Sequence, residues 1–174
     1  MDQESWKTEF HSVYSRGISN WRSGRRVSHQ LFNEQDLRFL NSIGCSAQEL
    51  ADFVEDFCTD GEPDFGTVLE VQTIRKDYFT HVLGLKHAEH TARMEDLPPK
   101  SEAVDGIAWL PRLIVKARLK LRGEMPSDLM YGCGGDRPFL RRMRSSLPEF
   151  LRLVRDCGED TRRIVDRFKN SAGL

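Results

Sequence analysis

The 174-residue chain lacks any apolar run near the ~18 residues that a membrane-spanning helix needs, so no membrane partner is expected. It has only four cysteines, Cys45, Cys58, Cys133 and Cys157, and no two of them form a Cys-x-x-Cys pair. That spacing argues against a zinc ribbon or a thioredoxin-like motif. A glycine-rich segment, Tyr131-Gly132-Cys133-Gly134-Gly135, lacks the Lys-Ser/Thr ending of a nucleotide P-loop and follows no predicted strand, so no cofactor is implied. Net charge is nearly absent: 26 Lys+Arg stand against 27 Asp+Glu, which taken alone excludes a generic polyanion binder. The opening Met1-Asp2-Gln3-Glu4-Ser5-Trp6-Lys7 has neither the basic start nor the apolar stretch of a signal peptide, and the expectation is a cytoplasmic protein with reduced thiols.

What is present is a globular composition, 39 % hydrophobic and 30 % charged, at a length of about one domain of ~150 residues. The charge is unevenly placed. Residues 110–174 carry 15 Lys+Arg against 8 Asp+Glu, a net of +7, and residues 1–109 carry 11 against 19, a net of -8.

Helical periodicity runs through most of the chain. Trp6, Phe10, Val13, Tyr14 and Trp21 share one face of a first helix, which Arg22-Ser23-Gly24-Arg25 ends. Asn33 can cap a short helix bearing Leu37, Leu40 and Ile43, and Ser46-Ala47-Gln48-Glu49 reads as a capping box before Leu50, Phe53, Val54 and Phe57. Asp64 can cap a longer helix through Phe65, Val68, Leu69, Val71, Ile74, Tyr78 and Val82. Residues 84–106 read as a loop. Pro111 then suits a first helical turn whose buried stripe is Leu110, Leu113, Ile114, Ala117 and Leu121, with Arg112, Lys116 and Lys120 forming a basic opposite side. Asp136 is the predicted N-cap of a short helix with Phe139, Leu140 and Met143. Ser146-Leu147-Pro148-Glu149 is a second capping box, and Asp160 caps a last helix with Ile164, Val165 and Phe168.

The capping boxes lie 100 residues apart, and at that offset 36–60 and 136–160 are identical at 8 of 25 positions: Asp36/Asp136, Phe39/Phe139, Leu40/Leu140, Ser46/Ser146, Glu49/Glu149, Val54/Val154, Asp56/Asp156 and Asp60/Asp160. The expected architecture is all-α, with about seven helices in one domain. It comprises one unit over 1–64, a connecting helix and loop over 65–106, and a related unit over 107–174.

Candidate chemistry gathers in the second unit. Backbone amides of the loop from Gly132 to Asp136 can face an anion such as a phosphate or carboxylate, with Arg112, Lys116 and Arg137 as cationic neighbours and Gly134 and Gly135 in the loop itself. A turn requiring positive φ explains the same glycines without a ligand. Cys133 is the one candidate nucleophile, although no His lies near it in sequence. His87 and His90, with His81, Glu89, Glu95 and Asp96 around them, are the only metal-capable cluster, and with no second ligand pair no metal is expected. The runs Arg112/Lys116/Lys120 and Arg141-Arg142-Met143-Arg144 could touch phosphates, but no reader motif accompanies them and nucleic-acid binding is the third reading.

The segment Gly106-Ile107-Ala108-Trp109-Leu110-Pro111-Arg112-Leu113-Ile114-Val115-Lys116-Ala117-Arg118-Leu119-Lys120-Leu121-Arg122-Gly123, with Tyr131-Gly132-Cys133 and Asp136-Arg137-Pro138-Phe139-Leu140, resembles the uncharacterised bacterial family known as domain of unknown function 5069. The resemblance covers about 95–170 and implies no activity. The separated charge and the absence of a complete catalytic set lead to the expectation of a non-enzymatic helical module that binds a protein partner or self-associates. The alternative is an enzyme or small-anion binder built on the 132–137 loop and the basic helix 111–122.

Overall fold

Helix starts are set by side chains that satisfy the first unpaired amides. Asn33, Ser46 and Ser146 each accept from the amide three residues on, while Asp36, Glu49 and Glu149 reach back to the cap amide, so three capping boxes form. The computed structural model describes residues 5–173. The acidic opening over 1–4 lies outside the described residues.

Nine α-helices follow in order among the described residues: α1 (Ser5–Arg22), α2 (Ser28–Leu31), α3 (Glu34–Ser42), α4 (Ala47–Asp60), α5 (Phe65–His81), α6 (Leu110–Arg122), α7 (Asp136–Arg142), α8 (Leu147–Cys157) and α9 (Thr161–Ala172). A 3-10 turn spans Met94–Asp96, and a two-residue hairpin pairs β1 (Ala103–Val104) with β2 (Ile107–Ala108). The protein is all-α. The count exceeds the expected seven in part because α2 is about one turn long and leaves no period to read. No described helix is long and apolar enough to cross a membrane.

The chain divides into two compact units, residues 1–76 and 77–174, with the boundary inside α5. In the first, α1 packs on α2 and α4. Gly17 permits that approach, since a Cβ there would stand 2.9 Å from Phe32 and 3.0 Å from Val54. Phe65 joins Phe10 and Tyr14 in an aromatic cluster at ring distances of 6.2 and 5.1 Å. In the second, α8 packs on both α6 and α9, and Phe168 meets Phe139 and Phe150. Asp105, at the hairpin turn, accepts from Arg162 and Lys169 of α9, each at 3.1 Å.

The repeat is visible in what each unit buries. Phe10/Leu110, Val13/Leu113, Tyr14/Ile114, Leu31/Tyr131, Leu40/Leu140, Leu50/Phe150 and Val54/Val154 are all core residues, each pair 100 apart. The register shifts after α4 and α8. Asp60 ends α4, whereas Asp160 caps α9; its counterpart is Asp64, which accepts from the Thr67 amide at 2.8 Å as Asp160 does from that of Arg163 at 2.9 Å. The Asp60/Asp160 identity is thus not a structural equivalence, because the turn after α8 is shorter.

Several side chains depart from the periodic reading. Leu37 and Phe57 are only half-buried, Phe39 is in the core, and Val82 lies past the end of α5 at 61 % exposure. The larger correction concerns α6. Lys116 and Lys120 are buried, not on a solvated basic side. Around α6, Leu119 also packs with Leu97 and Leu129 in a separate small core, so the helix is covered on more than one face.

On α4, partial burial and the charges of Glu49, Glu55 and Asp56 push the Asp52 carboxyl up to about 6, against one hydrogen bond from Gln48 that lowers it. Its folded value lies above its unfolded one. The contribution to stability is therefore full below about pH 4 and disappears as pH rises through about 6. Asp52→Asn keeps an acceptor for Gln48 and should stabilise the fold by about 1 kcal/mol at neutral pH after discounting for solvent access, with no gain near pH 4. Urea unfolding of both proteins across that range checks it.

Candidate functional site

The site grows from the start of α6. Trp109 precedes the helix with a left-handed backbone, φ 75, a conformation that costs energy for a bulky residue and must be held by its surroundings. Its amide donates to Glu102 O at 3.2 Å, and its ring nitrogen donates to Asp136 Oδ1 at 3.0 Å. Helical spacing sets Lys116 two turns further on, pointing inward at 2 % exposure.

Opposite it, the loop before α7 delivers Asp136, which is 0 % exposed. Lys116 Nζ donates to Asp136 Oδ2, and the Gly132 amide donates to the same oxygen at 2.9 Å. The carboxylate thus receives a cation, an indole N–H and a backbone N–H. This is the set of bonds that a buried charge requires. Burial pushes the nearby Tyr131 phenol well above its ordinary range, with the Asp136 charge adding to the shift. The Tyr131 hydroxyl donates to Leu147 O at 2.8 Å.

The glycines serve different ends. Gly132 has φ 92, which a side chain would strain. Gly135 has an ordinary φ of -89, but a Cβ there would lie 2.5 and 2.7 Å from the Trp109 ring. Gly134 is exposed. Cys133 is partly exposed, and its Sγ accepts from Lys116 Nζ at 3.3 Å.

Of the residues predicted for an anion site, Lys116, Cys133, Gly135 and Asp136 come together, and Arg112 and Arg137 go elsewhere. Arg112 Nη1 donates to Pro98 O at 2.8 Å, and the buried Arg137 Nη1 donates to Gly132 O at 2.8 Å. The anion that Lys116 and the Gly132 amide receive is the protein's own Asp136 carboxylate. Asp136 is not the N-cap: that position is Gly135, with no side-chain cap, because the carboxylate turns inward to Lys116. His87 lies against the Phe79 ring at 4.7 Å, His90 is exposed in the following loop, and no group of three or more His, Cys, Asp or Glu among the described residues could hold a metal ion.

The first unit holds a related clamp that sequence reasoning missed. Arg16 Nη2 donates to the buried Asp36 at 2.6 Å, so position 16 pairs with 36 as 116 pairs with 136. Arg16 is 42 % exposed where Lys116 is 2 %. The repeated Asp36/Asp136 was the available signal, and two cations 20 residues upstream of it completed the pattern. Trp109 gave no such signal, because only the fold brings its ring nitrogen to Asp136. No protein-family model, no curated protein and no solved structure matches the chain.

Proposed function

We propose that the protein is a self-associating module in which the acidic α4 face of one copy binds the basic α8–α9 cleft of another. The observation that carries this reading is the opposite charge of two units that share one architecture. Residues 39–74 hold eight carboxylates and no Lys or Arg; the corresponding 139–174 hold nine Lys+Arg and five carboxylates. On the matched helices α4 and α8 the exchange is direct: Asp52 stands where the second unit has Arg152, and Glu55 where it has Arg155.

The second unit offers a receptor of suitable form. A cleft of about 500 Å³ is lined by Arg144, Arg152 and Arg167 over Leu153 and Phe168. Its two carboxylates have local partners, Glu149 in the α8 capping box and Asp156 with Arg155 at 2.9 Å. On the other side, Asp52, Glu55 and Asp56 stand close together on α4, and a cation brought against them would relieve their mutual repulsion. A head-to-tail contact of this kind uses two different surfaces and grows into rings or chains, not a closed two-fold dimer.

Sedimentation velocity over a concentration series at low and high salt tests this. Association should weaken with salt as the charges are screened beyond about 8 Å at physiological ionic strength. Arg152→Glu with Arg167→Glu should abolish it, as should Asp52→Arg with Glu55→Arg. Mixing the two variant proteins should restore a complex through the reversed pairs. A monomer at every concentration in low salt, or a mixture that stays monomeric while the wild type associates, overturns the reading.

A further inference from the structure

Cys133 stands where the first unit has Asn33, 100 residues earlier. Asn33 caps α3 and closes a capping box with Asp36. The second unit forgoes that cap, which leaves the first amides of α7 without a side-chain acceptor. Its residue at this position turns its side chain to a buried amine instead, with Lys116 Nζ 3.3 Å from the sulfur. The arrangement is a cluster of three groups. Cys133 is partly exposed beside exposed Gly134, which puts the residue at the solvent boundary, where a small oxidant arrives. Lys116 is buried, and Asp136 accepts a hydrogen bond from its ammonium, so an acceptor for one of its protons is already in place.

We propose that Cys133 and Lys116 are the site of a peroxide-driven, thiol-reversible nitrogen–sulfur cross-link. In the first step the Cys133 sulfur attacks one oxygen of hydrogen peroxide. The S–O bond forms as the O–O bond breaks, the second oxygen leaves as water, and the sulfur is oxidised by two electrons to a sulfenic acid. In the second step Lys116 passes one ammonium proton to Asp136 and attacks the sulfur through Nζ. The S–N bond forms, the S–O bond breaks, and the hydroxide departs as water with a second nitrogen proton. The net change consumes one peroxide and releases two waters, with no further redox partner. An external thiol reverses it by attacking the sulfur and returning the amine.

The cross-link replaces the Lys116 cation by a neutral group and leaves Asp136 protonated. It therefore rewrites the bonds that hold Trp109 at the start of α6, and tryptophan emission becomes a second readout. This inference is independent of self-association.

The test treats the full chain with hydrogen peroxide and maps its peptides without reduction. The expected product joins the segments bearing Lys116 and Cys133, weighs two hydrogens less than their sum, and disappears with dithiothreitol. In Lys116→Arg, which keeps the cation and cannot form the bond, Cys133 should stop at the sulfenic acid and be trapped by dimedone. If that variant does not fold, the wild-type map decides alone. Sulfenic or sulfinic acid at Cys133 with no cross-linked peptide, a disulfide to another cysteine, or an unreacted Cys133 overturns the proposal.

Discussion

Asp136→Ala should lower the free energy of unfolding by about 3–5 kcal/mol, because it strands three donors and an uncompensated cation in the interior. Lys116 Nζ, the Trp109 ring nitrogen and the Gly132 amide all lose their shared acceptor, and Lys116 and Gly132 are buried. Lys116→Met leaves the opposite charge buried and should cost a similar amount, although the indole and amide donors still serve the carboxylate. Removing both charges together, in Lys116→Met with Asp136→Asn, should cost less than the losses of Lys116→Met and Asp136→Asn measured singly and summed. The carboxamide oxygen introduced in place of the carboxylate can still accept from Trp109, and no lone charge remains. The related pair in the first unit provides the contrast. Asp36→Ala should cost less than Asp136→Ala, because Arg16 is 42 % exposed and water takes over its solvation. Urea unfolding of the five variants measures all of this. Equal losses at positions 36 and 136 would show that burial of the pair does not set its worth.

Gly135→Ala is the second large effect, and its cause is steric. A Cβ at 2.5 and 2.7 Å from two ring carbons of Trp109 cannot be accommodated by rotating a flexible chain end, so the indole or the start of α7 must move. The expected loss is about 1–3 kcal/mol, the range for overpacking a filled core. Because Trp109 also donates to Asp136, displacement of its ring should change the tryptophan emission as well as the stability. The neighbouring Gly134 supplies the control. A Cβ there comes no closer than 3.9 Å to the Arg137 guanidinium, and Gly134→Ala should stay within about 0.5 kcal/mol of wild type. Two adjacent glycines in one loop thus answer to different constraints, and composition alone does not tell them apart.

Much of the architecture was legible because it depends on local rules. The cap residues Asn33, Ser46, Asp64, Ser146 and Asp160 work through bonds that span three residues, and the apolar stripes of α1, α4 and α8 follow the helical period. The likeness of the two halves was readable for the same reason: Ser46 and Ser146 cap matched helices, and apolar residues 100 apart are buried in both. In the candidate site, the Gly132–Asp136 loop and Lys116 stand out in the sequence by residue type, whereas the partners of Arg112 and Arg137, the backbone carbonyls of Pro98 and Gly132, depend on how the loops close.

Apart from the one-turn α2, local residue patterns carry the helices, their order and the unequal charge of the two halves. What the charges do is settled by contacts between distant residues. A lysine on the polar side of an amphipathic pattern reads as solvated, because periodicity sees one core. Lys116 and Lys120 are both buried, Lys116 because Asp136 receives its ammonium in the interior, and Leu119 between them packs on Leu97 and Leu129. The ion pair with Asp136, the hydrogen bond to Cys133 and the indole over Gly135 join residues 17 to 27 apart. Such pairings depend on how loops close, which no local rule encodes.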